Sequence, residues 1–136
     1  MSKAEPTIQK YMTTQPYFIA PDANMAEAEA MMKQHKIRHL PVLKNGKVVG
    51  ILSDRDIKLV SGFEEVEAAQ ILVADVCVAK PFVVGPDALL SEVAETMASK
   101  HYGSVIVTQN EKLVGIFTAV DACRALSVIL QTRYHG

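Results

Sequence analysis

The fold of this chain is decided by the stretch Gly50-Ile-Leu-Ser-Asp-Arg-Asp56, which returns 65 residues later as Gly115-Ile-Phe-Thr-Ala-Val-Asp121. Both stretches share the pattern Gly-apolar-x-Ser/Thr-x-x-Asp. The same spacing of 65 residues, held without a gap, relates residues 8–57 to residues 73–122. Copies of this size cannot each bury enough apolar surface alone, so we expect the two copies to pack against each other.

Each copy is predicted to contain a short helical turn, an extended segment, a helix, two strands and a second helix. The first main helix is expected to open at Pro21, and its counterpart at Pro86. Apolar residues recur in both helices at helical spacing, which predicts one inward face in each. These faces consist of Met25, Ala28 and Met32 in the first copy and Leu90, Val93 and Met97 in the second.

The strands are predicted at Arg38–Leu43, Lys47–Leu52, Ser104–Thr108 and Lys112–Thr118. The first hairpin turns through Asn45-Gly46, a dipeptide that tolerates the positive φ angles of a tight turn. The second has Asn110-Glu111 at that place, so its turn is expected to be made differently, with Asn110 as the left-handed residue.

The last helix is predicted from Val120 to about Gln131. It carries Cys123, Leu126 and Leu130 on one face. A surplus apolar stripe near a chain end commonly docks on another subunit, so this helix is a candidate for self-association.

The composition favours a soluble, cytoplasmic protein. Its 136 residues are 49% apolar, enough for a core, and carry a net charge of −1 with acidic and basic residues interspersed. The sequence has no basic patch of the kind that predicts a nucleic-acid partner. Its apolar runs are all shorter than the roughly 18 residues of a membrane span. Cys77 and Cys123 occupy different positions of the repeat, which favours small buried side chains over a redox or metal role.

The Ser/Thr-x-x-Asp pattern has two interpretations. It is a variant of the helix capping box, in which the hydroxyl accepts a free backbone N–H and the carboxylate reaches back to the cap. It also suits a nucleotide, because a helix N-terminus favours phosphate and an Asp in the first turn can accept hydrogen bonds from a ribose diol. The preceding glycine, which lacks a Cβ, would let a ligand approach the backbone.

The two copies are not equally equipped for phosphate. Arg55 lies in the first junction, and Arg38 and His39 lie on the neighbouring strand. The second copy has uncharged residues at all three places, Val120, Gly103 and Ser104. Since charge-assisted hydrogen bonds from arginine to phosphate are strong, the first copy is expected to hold the better site.

No catalytic or metal site is predicted. The four histidines are His35, His39, His101 and His135, and no set of carboxylates and cysteines completes a metal site with them. No nucleophile is paired with a base, and no glycine-rich phosphate loop is present.

The chain resembles a pair of cystathionine-β-synthase (CBS) domains, the tandem called a Bateman module. The resemblance covers about residues 8–126 and rests on Tyr11-Met-Thr-Thr14, Ala20-Pro-Asp-Ala23, Ile37–Val42 and the two junctions. It implies an α/β (α+β) fold of two β-α-β-β-α repeats packed with pseudo-twofold symmetry around ligand clefts. The implied divisions are a tail (1–7), a first domain (8–62), a linker (63–72), a second domain (73–131) and a tail (132–136).

The resemblance also implies adenosine ligands, either AMP, ADP or ATP, with S-adenosylmethionine or NAD as further candidates and no required cofactor. Asp56 and Asp121 would hold ribose hydroxyls, and Ser53 and Thr118 would meet phosphate. The residues that would flank adenine are Ile19, Ala20, Val84 and Gly85.

By the same resemblance, the protein is a homodimeric regulatory module without catalysis, whose ligand shifts a conformational equilibrium that a protein partner detects. Three alternatives stay open. The chain could be a dimerisation or interaction module without a ligand, a redox-responsive adaptor acting through Cys123, or an enzyme of unrecognised type.

Overall fold

A computed structural model describes residues 4–61 and 67–135 of the chain. In these ranges the helices are α1 Met25–His35, α2 Asp54–Ser61, α3 Leu90–Lys100 and α4 Ala119–His135. The strands are β1 Thr13–Thr14, β2 His39–Lys44, β3 Lys47–Ser53, β4 Val83–Val84, β5 Ser104–Gln109 and β6 Lys112–Thr118. Short 3-10 turns lie at Ile8–Lys10, Ala68–Gln70 and Val73–Asp75. Three parts of the predicted division lie outside the described residues. They are the end of the first domain at residue 62, residues 63–66 of the linker, and residues 1–3 and 136 of the two tails.

The α+β class and the repeated order of helix, hairpin and helix are confirmed. The predicted inward faces of the two main helices are confirmed as well. In each helix the buried side chains are the three predicted ones, Met25, Ala28 and Met32 in α1 and Leu90, Val93 and Met97 in α3.

The first helix begins four residues later than the sequence predicts, at Met25 instead of Pro21. Asn24 is its N-cap, and the Oδ1 atom of Asn24 accepts the backbone N–H of Glu27 at 2.9 Å. An asparagine cap stabilises a helix start. The equivalent helix α3 also begins four residues later than predicted, at Leu90 instead of Pro86, although its N-cap Leu89 makes no side-chain hydrogen bond. The same turn precedes both helices: the Ala23 N–H donates to the Ala20 carbonyl, and the Ala88 N–H to the Gly85 carbonyl, both at 3.2 Å. The later start is therefore common to the two copies and does not depend on the asparagine cap.

The two hairpin turns are made in the same way, so the prediction of a different second turn was wrong, whereas the left-handed conformation predicted for Asn110 is confirmed. The φ angles are 52° at Asn45 and 80° at Gly46, and they are 53° at Asn110 and 66° at Glu111. Both hairpins also have a bulge at the equivalent place. The strand pairing therefore imposes the turn, and Glu111 takes a left-handed conformation that costs a residue with a Cβ about 1–2 kcal/mol.

The chain forms two compact units whose bounds differ from those of the sequence repeats. One unit is Pro16–Pro81, and the other combines Met1–Gln15 with Phe82–Gly136. The opening segment of each repeat therefore belongs to the unit built from the body of the other repeat.

Backbone hydrogen bonds show that this exchange is reciprocal. The Ile8 N–H donates to the Ala88 carbonyl at 2.8 Å, and the Val73 N–H donates to the Ala23 carbonyl at 2.8 Å. These two bonds are related by the 65-residue repeat. A single repeat taken alone would lack the segment that completes its unit.

The unit Pro16–Pro81 contains the antiparallel pair β2–β3. Single bridges extend this pair on both sides, where Ile19 lies parallel to Val42 and Val78 lies antiparallel to Ile51. The core that packs α1 and α2 against these strands consists of Ile19, Met25, Ala28, Met32, Leu40, Val42, Leu52, Ile57 and Val73.

The second unit contains a four-stranded sheet in the order β1-β6-β5-β4. Strand β4 is parallel to β5, and the other pairs are antiparallel. Its core repeats that of the first unit and consists of Ile8, Leu90, Val93, Met97, Val105, Val107, Phe117 and Ala125.

The last helix, α4, is longer than predicted and extends to His135, through most of the predicted tail 132–136. Its buried residues are Asp121 and Ala125. The predicted apolar face is exposed: Leu126 is 57% exposed and Leu130 is 45% exposed. Cys123 on this face is exposed and Cys77 is half-buried, so the prediction of two buried cysteine side chains was wrong. None of the described helices is both long enough and apolar enough to cross a membrane.

Candidate functional site

The first junction is a complete capping box at the start of α2. The Asp56 N–H donates to Ser53 Oγ at 3.1 Å, and the Ser53 N–H donates to Asp56 Oδ2 at 3.0 Å. The capping interpretation of the sequence pattern therefore describes the first junction. The cap uses only Oδ2 of the Asp56 carboxylate, because Oδ1 has no hydrogen-bond partner in the described part of the chain.

Strand pairing brings Arg38 and His39, two of the residues expected to meet phosphate, to this junction. His39 lies directly opposite Ser53 in the β2–β3 register, and the Arg38 carbonyl accepts the Asp54 N–H at 2.8 Å. The Arg38 and Arg55 side chains are exposed, and His39 is half-buried. The junction thus combines an open carboxylate oxygen, a helix N-terminus and nearby cationic groups.

Arg38 also lines a cavity of about 330 Å³ beside α1 and α2. Its lining includes the buried side chains of Met32 and Ile57 and the charged side chains of Lys36 and Asp54. The Arg38 side chain is exposed.

Burial lowers the pKa of His39 below its ordinary value of 6.5, and this effect outweighs the opposing effect of the Asp56 carboxylate. The folded state therefore binds fewer protons than the unfolded state, and His39 makes the protein less stable as the pH falls below about 6.5. We expect the free energy of unfolding to drop between about pH 7.5 and pH 5.5, and to drop less in His39→Gln. Urea unfolding at both pH values measures this, and an equal drop in the variant contradicts it.

The second junction is a capping box with the same geometry. The Asp121 N–H donates to Thr118 Oγ1 at 3.3 Å, and the Thr118 N–H donates to Asp121 Oδ2 at 3.0 Å. The Thr118 hydroxyl also lies 3.2 Å from Oδ2. Asp121 is buried, with 4% of its surface exposed.

Two further residues contact Asp121, and sequence reasoning missed both. Thr13 Oγ1 donates to the carboxylate, 3.1 Å from Oδ1 and 3.3 Å from Oδ2, and Arg124 Nη1 lies 3.2 Å from Oδ1. Arg124 could have been found from its helical spacing of three residues. Thr13 is 108 residues away in sequence. Its contact with Asp121 could be found only from the structure, which places the opening segment of one repeat beside the body of the other.

The four residues predicted to flank adenine lie in different environments. Ile19 is buried in the core of its unit and Ala20 is exposed. Val84, in β4, and Gly85, which follows it, are half-buried. Ala20 is therefore the most accessible member of this set.

The junction glycines have a packing role that the sequence did not suggest. A Cβ on Gly50 would lie 2.8 Å from both Cys77 Sγ and the Val78 carbonyl oxygen, and a Cβ on Gly115 would collide with the Met12 side chain. Cys77 and Met12 lie in the exchanged opening segments. The missing Cβ therefore makes room for the chain itself, which corrects our expectation of a space for ligand.

The remaining histidines and cysteines form no metal cluster within the described ranges. His35 stacks on Tyr17, with 3.7 Å between the ring centroids. Burial raises the pKa of the Cys77 thiol, which disfavours the reactive thiolate.

A CBS domain family model matches the chain twice, over residues 8–61 and residues 73–128. The chain belongs to the CBS domain family. Its two matched segments coincide with the two copies of the 65-residue repeat.

Curated relatives of this CBS-domain chain include an inosine-5′-monophosphate dehydrogenase of Korarchaeum cryptofilum, 29% identical over 89% of this chain and 24% of that protein. The CBS domain-containing protein YhcV of Bacillus subtilis is 29% identical over 85% of this chain and 81% of that protein. The chain spans about a quarter of the length of the dehydrogenases that it matches.

Solved structures share the fold over nearly the whole chain. A Vibrio cholerae protein provisionally named for acetoin utilization (AcuB) has a TM-score of 0.86 and 25% identity, and the match covers 98% of both chains. The CBS domain pair of MJ0100, in complex with 5′-methylthioadenosine and S-adenosyl-L-methionine, has a TM-score of 0.82 and 22% identity, covering 93% of this chain and 99% of that one. CBSX2 in complex with AMP has a TM-score of 0.76 and 24% identity, covering 90% and 97%.

Proposed function

We propose that this chain is a regulatory module that binds an adenosine nucleotide at the first junction and has no catalysis of its own. The observation that carries this proposal is the Asp56 carboxylate. One of its oxygens is used by the helix cap, and Oδ1 remains available to accept a hydrogen bond from a ribose hydroxyl.

The surroundings of Asp56 suit the phosphate of the same ligand. The N-terminus of α2 carries the positive end of the helix dipole, and Ser53 lies at that end. Arg55 follows the first residue of α2, and Arg38 lies on the strand whose backbone accepts the Asp54 N–H. Both side chains are exposed, and arginine forms strong charge-assisted hydrogen bonds with phosphate oxygens.

Proteins of the same fold support adenosine as the ligand class. CBSX2 was crystallised with AMP, and the MJ0100 pair with two other adenosine compounds. We propose AMP, ADP or ATP as the ligand of this chain. Binding would shift the population of conformations, and a partner protein would respond to the state that the ligand favours.

A thermal-shift screen against AMP, ADP, ATP, S-adenosylmethionine and NAD tests this proposal. A ligand present at a hundred times its Kd stabilises the folded state by about 2.7 kcal/mol, so a true ligand raises Tm clearly. The shift should be clearly smaller in Asp56→Ala. If none of the five compounds raises Tm, the alternative of an interaction module without a nucleotide is favoured.

We also propose that the module is a homodimer that uses the exposed face of α4. Cys123, Leu126 and Leu130 lie on one face of this helix and are exposed, Leu126 by 57% and Leu130 by 45%, and exposed apolar patches mark interaction sites. Light scattering at micromolar concentration should give the mass of a dimer. Leu126→Glu should shift the mass towards the monomer while Thr132→Glu, on the same helix, leaves it unchanged, and a monomeric wild type contradicts the proposal.

A further inference from the structure

The two ribose-acceptor candidates differ in how fully their carboxylates are occupied by the protein itself. Asp121 has four donors around it: the Thr118 N–H, the Thr118 hydroxyl, the Thr13 hydroxyl and Arg124 Nη1, all within 3.3 Å. A carboxylate offers about four lone-pair positions, so these donors fill it. Asp56 accepts only the Ser53 N–H among the described residues.

The internal repeat shows where this difference comes from. Val78 occupies the position of Thr13 in the other copy, and Leu59 occupies the position of Arg124. Both opening segments are held alike, because Thr13 pairs with Ile116 as Val78 pairs with Ile51. The backbone is therefore equivalent at the two junctions, and the side-chain chemistry differs.

The Thr13 hydroxyl makes the contact that a ribose hydroxyl would make. Its Oγ1 lies 3.1 Å from Oδ1 and 3.3 Å from Oδ2 of Asp121, between the two oxygens. It is held there by the backbone pairing of β1 with β6. A ligand hydroxyl would have to displace a group that is already bound at a high effective concentration.

We propose that Thr13, together with Arg124, closes the second junction, so that the chain has one working nucleoside site, at Asp56. This inference rests on the proposed function of the first junction. Thr13 thereby acts as an internal substitute for a ligand hydroxyl, and it determines which of two similar junctions binds.

Titration calorimetry with AMP and with adenosine tests the inference through substitutions copied from the other repeat. Wild type should bind one AMP per chain, and T13V/R124L should gain a second site. Adenosine is the sharper probe for this second site, because it needs none of the cations that the second junction lacks. Adding D121N to T13V/R124L should restore a single site.

The reciprocal variant V78T provides the matched control at the first junction. It places a hydroxyl near Asp56 and should weaken AMP binding about tenfold, the effect of one hydrogen bond to a charged group. Valine and threonine are both favoured in strands and have the same shape, so V78T and T13V should each leave the fold intact. Circular dichroism and thermal unfolding check that the fold is intact. T13V alone provides a second test of whether removing the Thr13 hydroxyl opens the second site.

The outcomes separate the inference from the proposed function. If wild type binds two AMP molecules, with Asp56→Ala and Asp121→Ala each removing one, the inference is overturned and the proposed function stands. A single site in both T13V and T13V/R124L also overturns the inference alone. If neither wild type nor any variant binds AMP, ADP, ATP or adenosine, both are overturned.

Discussion

Replacing Gly50 with alanine should destabilise the protein by about 2–3 kcal/mol, within the range found for overpacked cores. The new Cβ would lie 2.8 Å from the Val78 carbonyl oxygen and 2.8 Å from Cys77 Sγ. Val78 is held in place by two backbone hydrogen bonds to Ile51, at 2.9 and 3.0 Å. The opening segment must therefore move and lose these bonds, and urea unfolding would measure the loss.

Two related variants make this prediction sharper. Gly85→Ala should cost less than about 0.5 kcal/mol, because its Cβ would meet only the flexible end of the Asp87 side chain, at 3.2 Å. Gly50→Ala/Cys77→Ala should recover only part of the loss, because the clash with the Val78 carbonyl remains. A stable Gly50→Ala protein with weakened AMP binding would instead support the role in ligand approach that we have rejected.

Asp121→Ala should cost more stability than Asp56→Ala, and Asp56→Ala should cost more AMP affinity. Removing the buried Asp121 leaves the Thr118 N–H and the Thr13 hydroxyl without their acceptor, which we expect to cost about 3 kcal/mol. Asp56→Ala removes one cap and should cost about 1 kcal/mol.

Binding is expected to show the opposite order. Asp56→Ala should weaken AMP binding by about 1.5–3 kcal/mol, the usual scale for hydrogen bonds to a charged group. Asp121→Ala should leave AMP affinity unchanged. Chemical unfolding and calorimetry on the same two variants measure both quantities. If Asp121→Ala abolishes binding and Asp56→Ala does not, our ranking of the two junctions is wrong.

The features that follow from local sequence were predicted well. The inward faces of α1 and α3 follow from helical spacing, and the strands from runs of apolar residues next to Asn-containing turns. The errors lie at boundaries and turns, where neighbouring structure competes with local preference. Both main helices begin four residues after the prolines predicted to open them, and the strand pairing imposed a left-handed conformation on Glu111.

The candidate site shows the same limit. The repeat placed Ser53 with Asp56 and Thr118 with Asp121, because a capping box is a contact between residues three apart. Nothing in the sequence indicated that Thr13 reaches Asp121, or that Gly50 makes room for Cys77. Both contacts depend on the exchange of the opening segments.

The amino-acid sequence was thus sufficient for the duplication, the α+β order of elements and the two capped junctions, since all of these depend on spacing within one segment. Tertiary structure was needed to show which unit each opening segment completes, and so which carboxylate keeps an unoccupied oxygen. The two junctions share a pattern, and distant residues make them different: Asp121 meets Thr13, whereas the equivalent residue of the other segment is Val78. Long-range packing brings those side chains together. The residues that determine this packing are distributed over the two cores and not confined to any short stretch of sequence.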